Sequence, residues 1–129
     1  MLTNESRLYS RIHFDATVEL NIRLLEYIHT AHLIDISLKG ALVETDKPIS
    51  TFIKMRRCQM TLTLNSNNEK IQMEGKIIHH TGSLIGIEAL HMDIDSITNL
   101  RKLILLNTGD EHLLEIELSN MLNKIKAQI

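Results

Sequence analysis

Disulfides, tryptophan and excess charge are what this sequence most conspicuously lacks. Cysteine occurs once, proline once and tryptophan not at all in 129 residues. A lone thiol, Cys58, cannot form an intramolecular disulfide, so the chain has no covalent staple and fits a reducing compartment. Aromatic residues are limited to Tyr9, Phe14, Tyr27 and Phe52, so the core has to be built from Leu, Ile, Val and Met. A base-stacking surface for single-stranded nucleic acid would lack its usual material. Charge of one sign is missing too: 14 Lys and Arg stand against 16 Asp and Glu, a formal net charge of −2. General nucleic-acid binding wants a strongly basic face, whereas a small anionic ligand needs only a few well-placed cations. No apolar run approaches the roughly 18 residues of a membrane span, and the polar stretch Met1 to Arg11 has no signal-peptide core. A cytoplasmic protein is the expectation. No phosphate-binding P-loop and no nucleophile–base pairing is visible, so no enzyme is expected.

What is present is a globular composition, 43% apolar and 23% charged, in a chain of single-domain size. From His13 to Leu24 the sequence alternates: Phe14, Ala16, Val18, Leu20, Ile22 and Leu24 on one side, His13, Asp15, Thr17, Glu19, Asn21 and Arg23 on the other. Period two predicts a strand with one buried and one wet face. A second strand is expected over Tyr27 to Ile36 and a third over Ala41 to Glu44, with a loop marked by Pro48 and Ser50. Cys58, Met60, Leu62 and Leu64 alternate up to the turn cluster 65–68, and Ile71, Met73, Gly75 and Ile77 alternate on the return strand. Gly82 and Ser83 predict another turn, and Leu84 to Leu90 the last strand. Short antiparallel strands joined by turns suggest a small barrel, since closure removes exposed edges.

After Met92 the period becomes helical. Ile97, Leu100, Leu103 and Ile104, with Asp93 or Asp95 as N-cap and Gly109 as stop, predict one helix. Asp110 can cap a second, with Leu114, Leu118, Met121, Leu122 and Ile125 as its apolar stripe. The expected architecture is α+β and mainly β: a six-stranded antiparallel barrel over 13–92 and two C-terminal helices over 93–126, preceded by an arm over 1–12 that is expected to be flexible.

Two features could carry chemistry. Arg7 and Arg11 flank Leu8-Tyr9-Ser10 just before the first strand, so in a strand or a helix both guanidinium groups share a side. The arginine fork pairs bidentately with phosphate or with the O6/N7 edge of guanine. Downstream lies Asp35-Ile36-Ser37-Leu38-Lys39-Gly40, expected as a loop between the second and third strands. Its carboxylate could accept from guanine N1–H and N2–H, and its glycine suits a positive φ or a close backbone approach. Taken singly, the arginines read as solvated surface charge and the loop as an ordinary turn. Seven histidines invite a metal site, but His29 and His32 on a strand face opposite sides, His79-His80 fails likewise, and no cysteine cluster supports one.

Taken in order, Arg-x-x-x-Arg before a strand and Asp-x-Ser-x-x-Gly about two dozen residues later resemble the signature of the PilZ family. Gly86-Ile87-Glu88 looks like that family's late barrel strand, and the resemblance spans roughly residues 5–125, closest to stand-alone bacterial PilZ proteins. It implies a six-stranded PilZ-type barrel that receives cyclic di-GMP. Arg7 and Arg11 would grip phosphate and a guanine Hoogsteen edge, Asp35 and Ser37 would receive a guanine, and Gly40 would let the loop close. Binding would then order the arm and change the surface shown to a downstream protein, in control of motility, biofilm or exopolysaccharide.

Two departures bear on the site. Ser6 stands where relatives that hold a stacked ligand pair often carry a further arginine, which favours one bound molecule. His79 stands where relatives often place a Trp or Arg to stack on guanine. No cofactor or metal is expected, and a monomer is. The competing readings are a PilZ-shaped interaction module that no longer binds the nucleotide, and a small barrel for single-stranded nucleic acid, which the sequence equips poorly.

Overall fold

The structure is a computed structural model, and it describes residues 12, 16–64 and 69–108. Six strands follow in order: β1 (Ala16–Ile22), β2 (His29–Ser37), β3 (Gly40–Thr45), β4 (Arg57–Thr63), β5 (Lys70–Thr81) and β6 (Leu84–His91), then helix α1 (Ile94–Thr108). All pairings are antiparallel, and the order β1-β2-β3-β6-β5-β4 closes through a β1–β4 pairing. The expected six-stranded mainly β barrel is therefore what the chain forms. The second expected helix, over 110–126, lies outside the described residues, as does the turn at 65–68.

Alternation puts one residue in two of each strand inside. Val18, Leu20 and Ile22 of β1 are buried between exposed Thr17, Glu19 and Asn21. Met60 of β4 faces Met73 of β5, and Leu62 faces Ile71, all four fully buried. Each such side chain contributes about 1.5–3 kcal/mol by leaving water. The aliphatic and methionine core expected from the shortage of aromatics is the one observed, a single cluster joining every strand to Leu100, Leu103 and Ile104 of α1.

Boundaries differ from expectation where the chain turns. The first strand ends at Ile22, and Leu24 lies in a turn at φ 74° with its side chain exposed, not on the core side. The Leu25 N–H closes that turn on the Ile22 carbonyl at 3.0 Å. Tyr27 precedes β2 and is exposed. Asp35 and Ser37 belong to β2 and Gly40 opens β3, so the expected loop shrinks to Leu38 and Lys39. The fifth strand runs on to Thr81 across an irregularity between Ile77 and His79.

The two ends of the barrel close differently. At one end α1 docks on the start of β5, beyond the last residue of β6. There the Gln72 N–H donates to Ser96 Oγ at 2.8 Å, and Asn99 Nδ2 donates to the Lys70 carbonyl at 2.9 Å, which satisfies a strand edge that β6 leaves uncovered. Of the two candidate caps it is Asp93 that starts α1, its Oδ1 accepting from the Ser96 N–H at 2.7 Å. That bond to the charged form holds the Asp93 carboxyl below its ordinary range. At the other end the β3–β4 loop, residues 46–56, crosses between strands that are not neighbours. Ile53 drops from it into the core as a plug, and the Met55 N–H bonds the Ile77 carbonyl at 2.7 Å.

Candidate ligand-binding site

A single extra residue decides where Asp35 and Ser37 point. Ala31 and Leu33 of β2 face the core, and continued alternation would send Asp35 and Ser37 there as well. The register between β2 and β3 shifts between Leu33, which faces Val43, and Asp35, which faces Leu42, with Ile34 as the extra residue of the bulge. A bulge of this kind reverses the parity of everything after it. Ile36 and Leu38 accordingly enter the core, while Asp35 and Ser37 turn to the outer wall, opposite Leu42 and Gly40. A second slip at Ile78 does the same in β5: Ile77 is buried, and His79 faces outward opposite Gly86.

The registers then place the sequence candidates in rows across the wall. Asp35 pairs with Leu42, Leu42 with Gly86, and Gly86 with His79. At about 4.8 Å per strand this row spans roughly 14 Å. A neighbouring row runs Ser37, Gly40, Glu88, Lys76 and Arg57. Leu42 and Gly86 lie between Asp35 and His79, and Gly40 stands in the neighbouring row between Ser37 and Glu88, so two positions of the wall carry no side chain. Lys76 was not singled out from the sequence, and Glu88 only within the Gly86-Ile87-Glu88 strand and not as a site residue. Their outward parity was legible, but their neighbours come from strands distant in the chain.

Gly40 has a cause other than the one expected. Among the described residues its φ is not positive; it is the close approach that demands glycine. A Cβ there would lie 2.0 Å from the Ile87 carbonyl oxygen and 3.3 Å from Glu88 Cα. Neither Leu38 nor Lys39 takes a positive φ, so the hairpin lacks the primed turn that two-residue loops favour. Ser37 supports it instead: its Oγ accepts the Lys39 N–H at 3.1 Å. The Ala89 N–H donates to the Lys39 carbonyl at 2.7 Å, tying the turn to β6.

Asp35 is 9% exposed and Ser37 2%, although both face outward. The wall beside them holds Ile12, which exchanges two backbone hydrogen bonds of 3.1 Å with Ile36 and is itself buried. Ile12 follows Arg11 in the sequence, so the bridge fixes where the chain leaves the arm. Arg7 and Arg11 themselves lie outside the described residues. His79 is exposed, with Nε2 3.2 Å from Thr81 Oγ1. His29 packs beside Tyr27, ring centroids 4.6 Å apart, and His32 is exposed on the other face of β2.

These features define a class: a closed antiparallel barrel with a polar outer wall beside its β2–β3 hairpin. The PilZ domain family model matches residues 5–106, and the chain belongs to the PilZ family. Domains of this family generally serve as cyclic di-GMP receptors or adaptors. Among solved structures, the PilZ domain of CeSA from a cellulose-synthesizing bacterium is similar in fold. It superposes with a TM-score of 0.54 at 22% identity, covering 80% of this chain and 99% of that one.

Proposed function

We infer that this chain is a cyclic di-GMP receptor that works as an adaptor and catalyses no reaction. The observation that carries the reading is the bulge at Ile34, which turns Asp35 and Ser37 onto the same outer wall as His79, with Leu42 and Gly86 between Asp35 and His79 and Gly40 beside Ser37. A dianion with two guanine edges matches an outer wall lowered at Gly40 and Gly86 and flanked by a carboxylate and an imidazole. Arg7 and Arg11 would supply the phosphate grip, entering beside Ser37 because Ile12 is tied to Ile36. With Ser6 in place of a further cation, one molecule per chain is favoured. Ligand binding would order the arm and alter the surface offered to a downstream protein in the cytoplasm, with a monomer as the working form.

Titration calorimetry with cyclic di-GMP tests this. Saturable binding near one ligand per chain is expected, and a charge-assisted hydrogen bond contributes roughly 1.5–3 kcal/mol, so Arg7→Ala or Arg11→Ala should each weaken it at least about tenfold. His79→Ala should weaken it a few-fold. Absence of saturation at micromolar ligand, or full affinity in Arg11→Ala, would sink the reading. One observation favours a second reading, that the chain is a PilZ-shaped interaction module without nucleotide. Ser37 is nearly closed to solvent and its hydroxyl already serves the hairpin. No heat with cyclic di-GMP in a folded wild type would select that reading.

A further inference from the structure

The β1–β2 loop (23–28) and the β3–β4 loop leave from the same end of the barrel, as alternate connections of antiparallel strands must. Tyr27 and Ile28 line one cavity with residues 45–51, and the Arg23 N–H bonds the Arg57 carbonyl at 2.9 Å, so the loops and the start of β4 form one rim. Five large apolar side chains of this rim, Leu24, Tyr27, Ile28, Phe52 and Met55, are between 56% and 82% exposed. Single exposed apolar residues are ordinary; five gathered on two adjoining loops mark a contact surface. Leu24 and Met55 are both held at φ 74°, a conformation that bulky residues avoid, and their side chains gain no burial from it.

Charge narrows the occupant. Residues 23–28 and 46–57 contain Arg23, Lys47, Lys54, Arg56 and Arg57 against Glu26 and Asp46 alone, in a chain whose formal net charge is −2. A second copy presenting the same end would meet like charge. Apolar tips ringed by cations match instead a surface that is anionic outside and apolar beneath. We propose that this rim docks peripherally on anionic lipid bilayers, with Leu24, Tyr27, Ile28, Phe52 and Met55 entering the headgroup boundary and the cations meeting lipid phosphates. Among the described residues no helix is long and apolar enough to cross a membrane, so the attachment is a surface one. It rests on apolar residues that the cyclic di-GMP reading does not use.

Flotation of the 129-residue chain with phosphatidylcholine vesicles, with and without phosphatidylglycerol and without nucleotide, tests the proposal. Binding to the mixed vesicles alone is expected, weakening steeply towards about 0.5 M salt. Phe52→Ser with Met55→Ser should lower the bound fraction at least about tenfold, and Arg23→Glu with Lys54→Glu should lower it as well. Leu106→Ser, which alters an equally exposed leucine on α1, should leave it unchanged. Because the chain has no tryptophan, Phe52→Trp creates a single fluorescent reporter whose emission should shift to the blue with mixed vesicles. Failure of the wild type to float with mixed vesicles overturns the proposal, and so does unchanged flotation of the doubly substituted, folded rim variant. Self-association that the rim substitutions abolish, without vesicle binding, also overturns it and assigns the rim to a protein contact.

Discussion

The two ends of this barrel solve the same problem, closing a hydrophobic core, by opposite means. The end that carries α1 and the Ser37–Gly40 hairpin is closed by fit. Main chains approach to contact at Gly40, Ser96 and Asn99 satisfy a bare strand edge, and Asp93 caps the helix. The other end is closed by one loop whose plug, Ile53, is fully buried, with Leu25 and Ile49 packed partly buried against the core, while Leu24, Tyr27, Ile28, Phe52 and Met55 face out. Polar detail that is fully bonded leaves little room for change, whereas a loop held by a plug and a few backbone bonds can display side chains that packing does not need. That difference teaches where specificity and where adhesion can be built on one small scaffold.

The comparison can be broken by substitution. Gly40→Val should have the largest effect, because its Cβ would overlap the Ile87 carbonyl rather than a movable side chain. A loss of about 3 kcal/mol or more is expected by urea denaturation. If Gly40→Val were tolerated, the hairpin end would not be closed by fit. Ile53→Ala should come next, at about 2–4 kcal/mol, since the plug is fully buried and the loop can relax only in part. Gly82→Ala should be milder, about 1 kcal/mol. A Cβ meets nothing there within 4 Å, and only the φ of +62° resists it.

Two titrations sharpen the contrast. The Asp93 carboxyl lies below its ordinary range because the Ser96 N–H and hydroxyl stabilise the charged form. Its contribution to stability is therefore complete above the ordinary carboxylate value of about 3.9 and is lost as pH falls through the lowered value. Melting curves from pH 5 downward should show this loss in the wild type, and Asp93→Asn, which can still cap, should remove that share of the pH dependence. Burial pushes the Cys58 thiol up to about 12. Stability tied to its protonated form is complete below the unfolded thiol value of about 8.5 and declines as pH rises towards the folded one. Iodoacetamide at neutral pH should leave native Cys58 unmodified and label it in urea; rapid native labelling would mean that the wall around β4 opens.

Much of the fold was legible because alternation is local. Val18-Leu20-Ile22 and Met60-Leu62 state their own periodicity, and Asp93 stands where a cap should. Six strands and a mainly β fold follow from such patterns, and the Arg-x-x-x-Arg and Asp-x-Ser-x-x-Gly resemblance named the family that the match over residues 5–106 then showed. The bulges were not legible. Ile34 and Ile78 look like any strand isoleucine, and only pairing with β3 and β6 shows that each is the extra residue. Ser37 therefore fell beyond the expected end of the second strand at Ile36, although it is a strand residue. Leu24 read as core when the chain had to turn to reach β2.

Alone, then, the sequence determined the residue types of the core, the antiparallel strand pattern, the capped helix and the pairing of an arginine motif with a small polar motif. Each depends on spacings of a few residues, which side-chain period and turn chemistry control. Only the tertiary structure decided that Asp35, Gly86 and His79 share a row, that Gly40 is glycine because Ile87 passes against it, and that two distant loops join into one apolar, basic rim. Those facts depend on which strands pair and in what register. That choice is made by the closing of the whole barrel, because no single strand contains its partner.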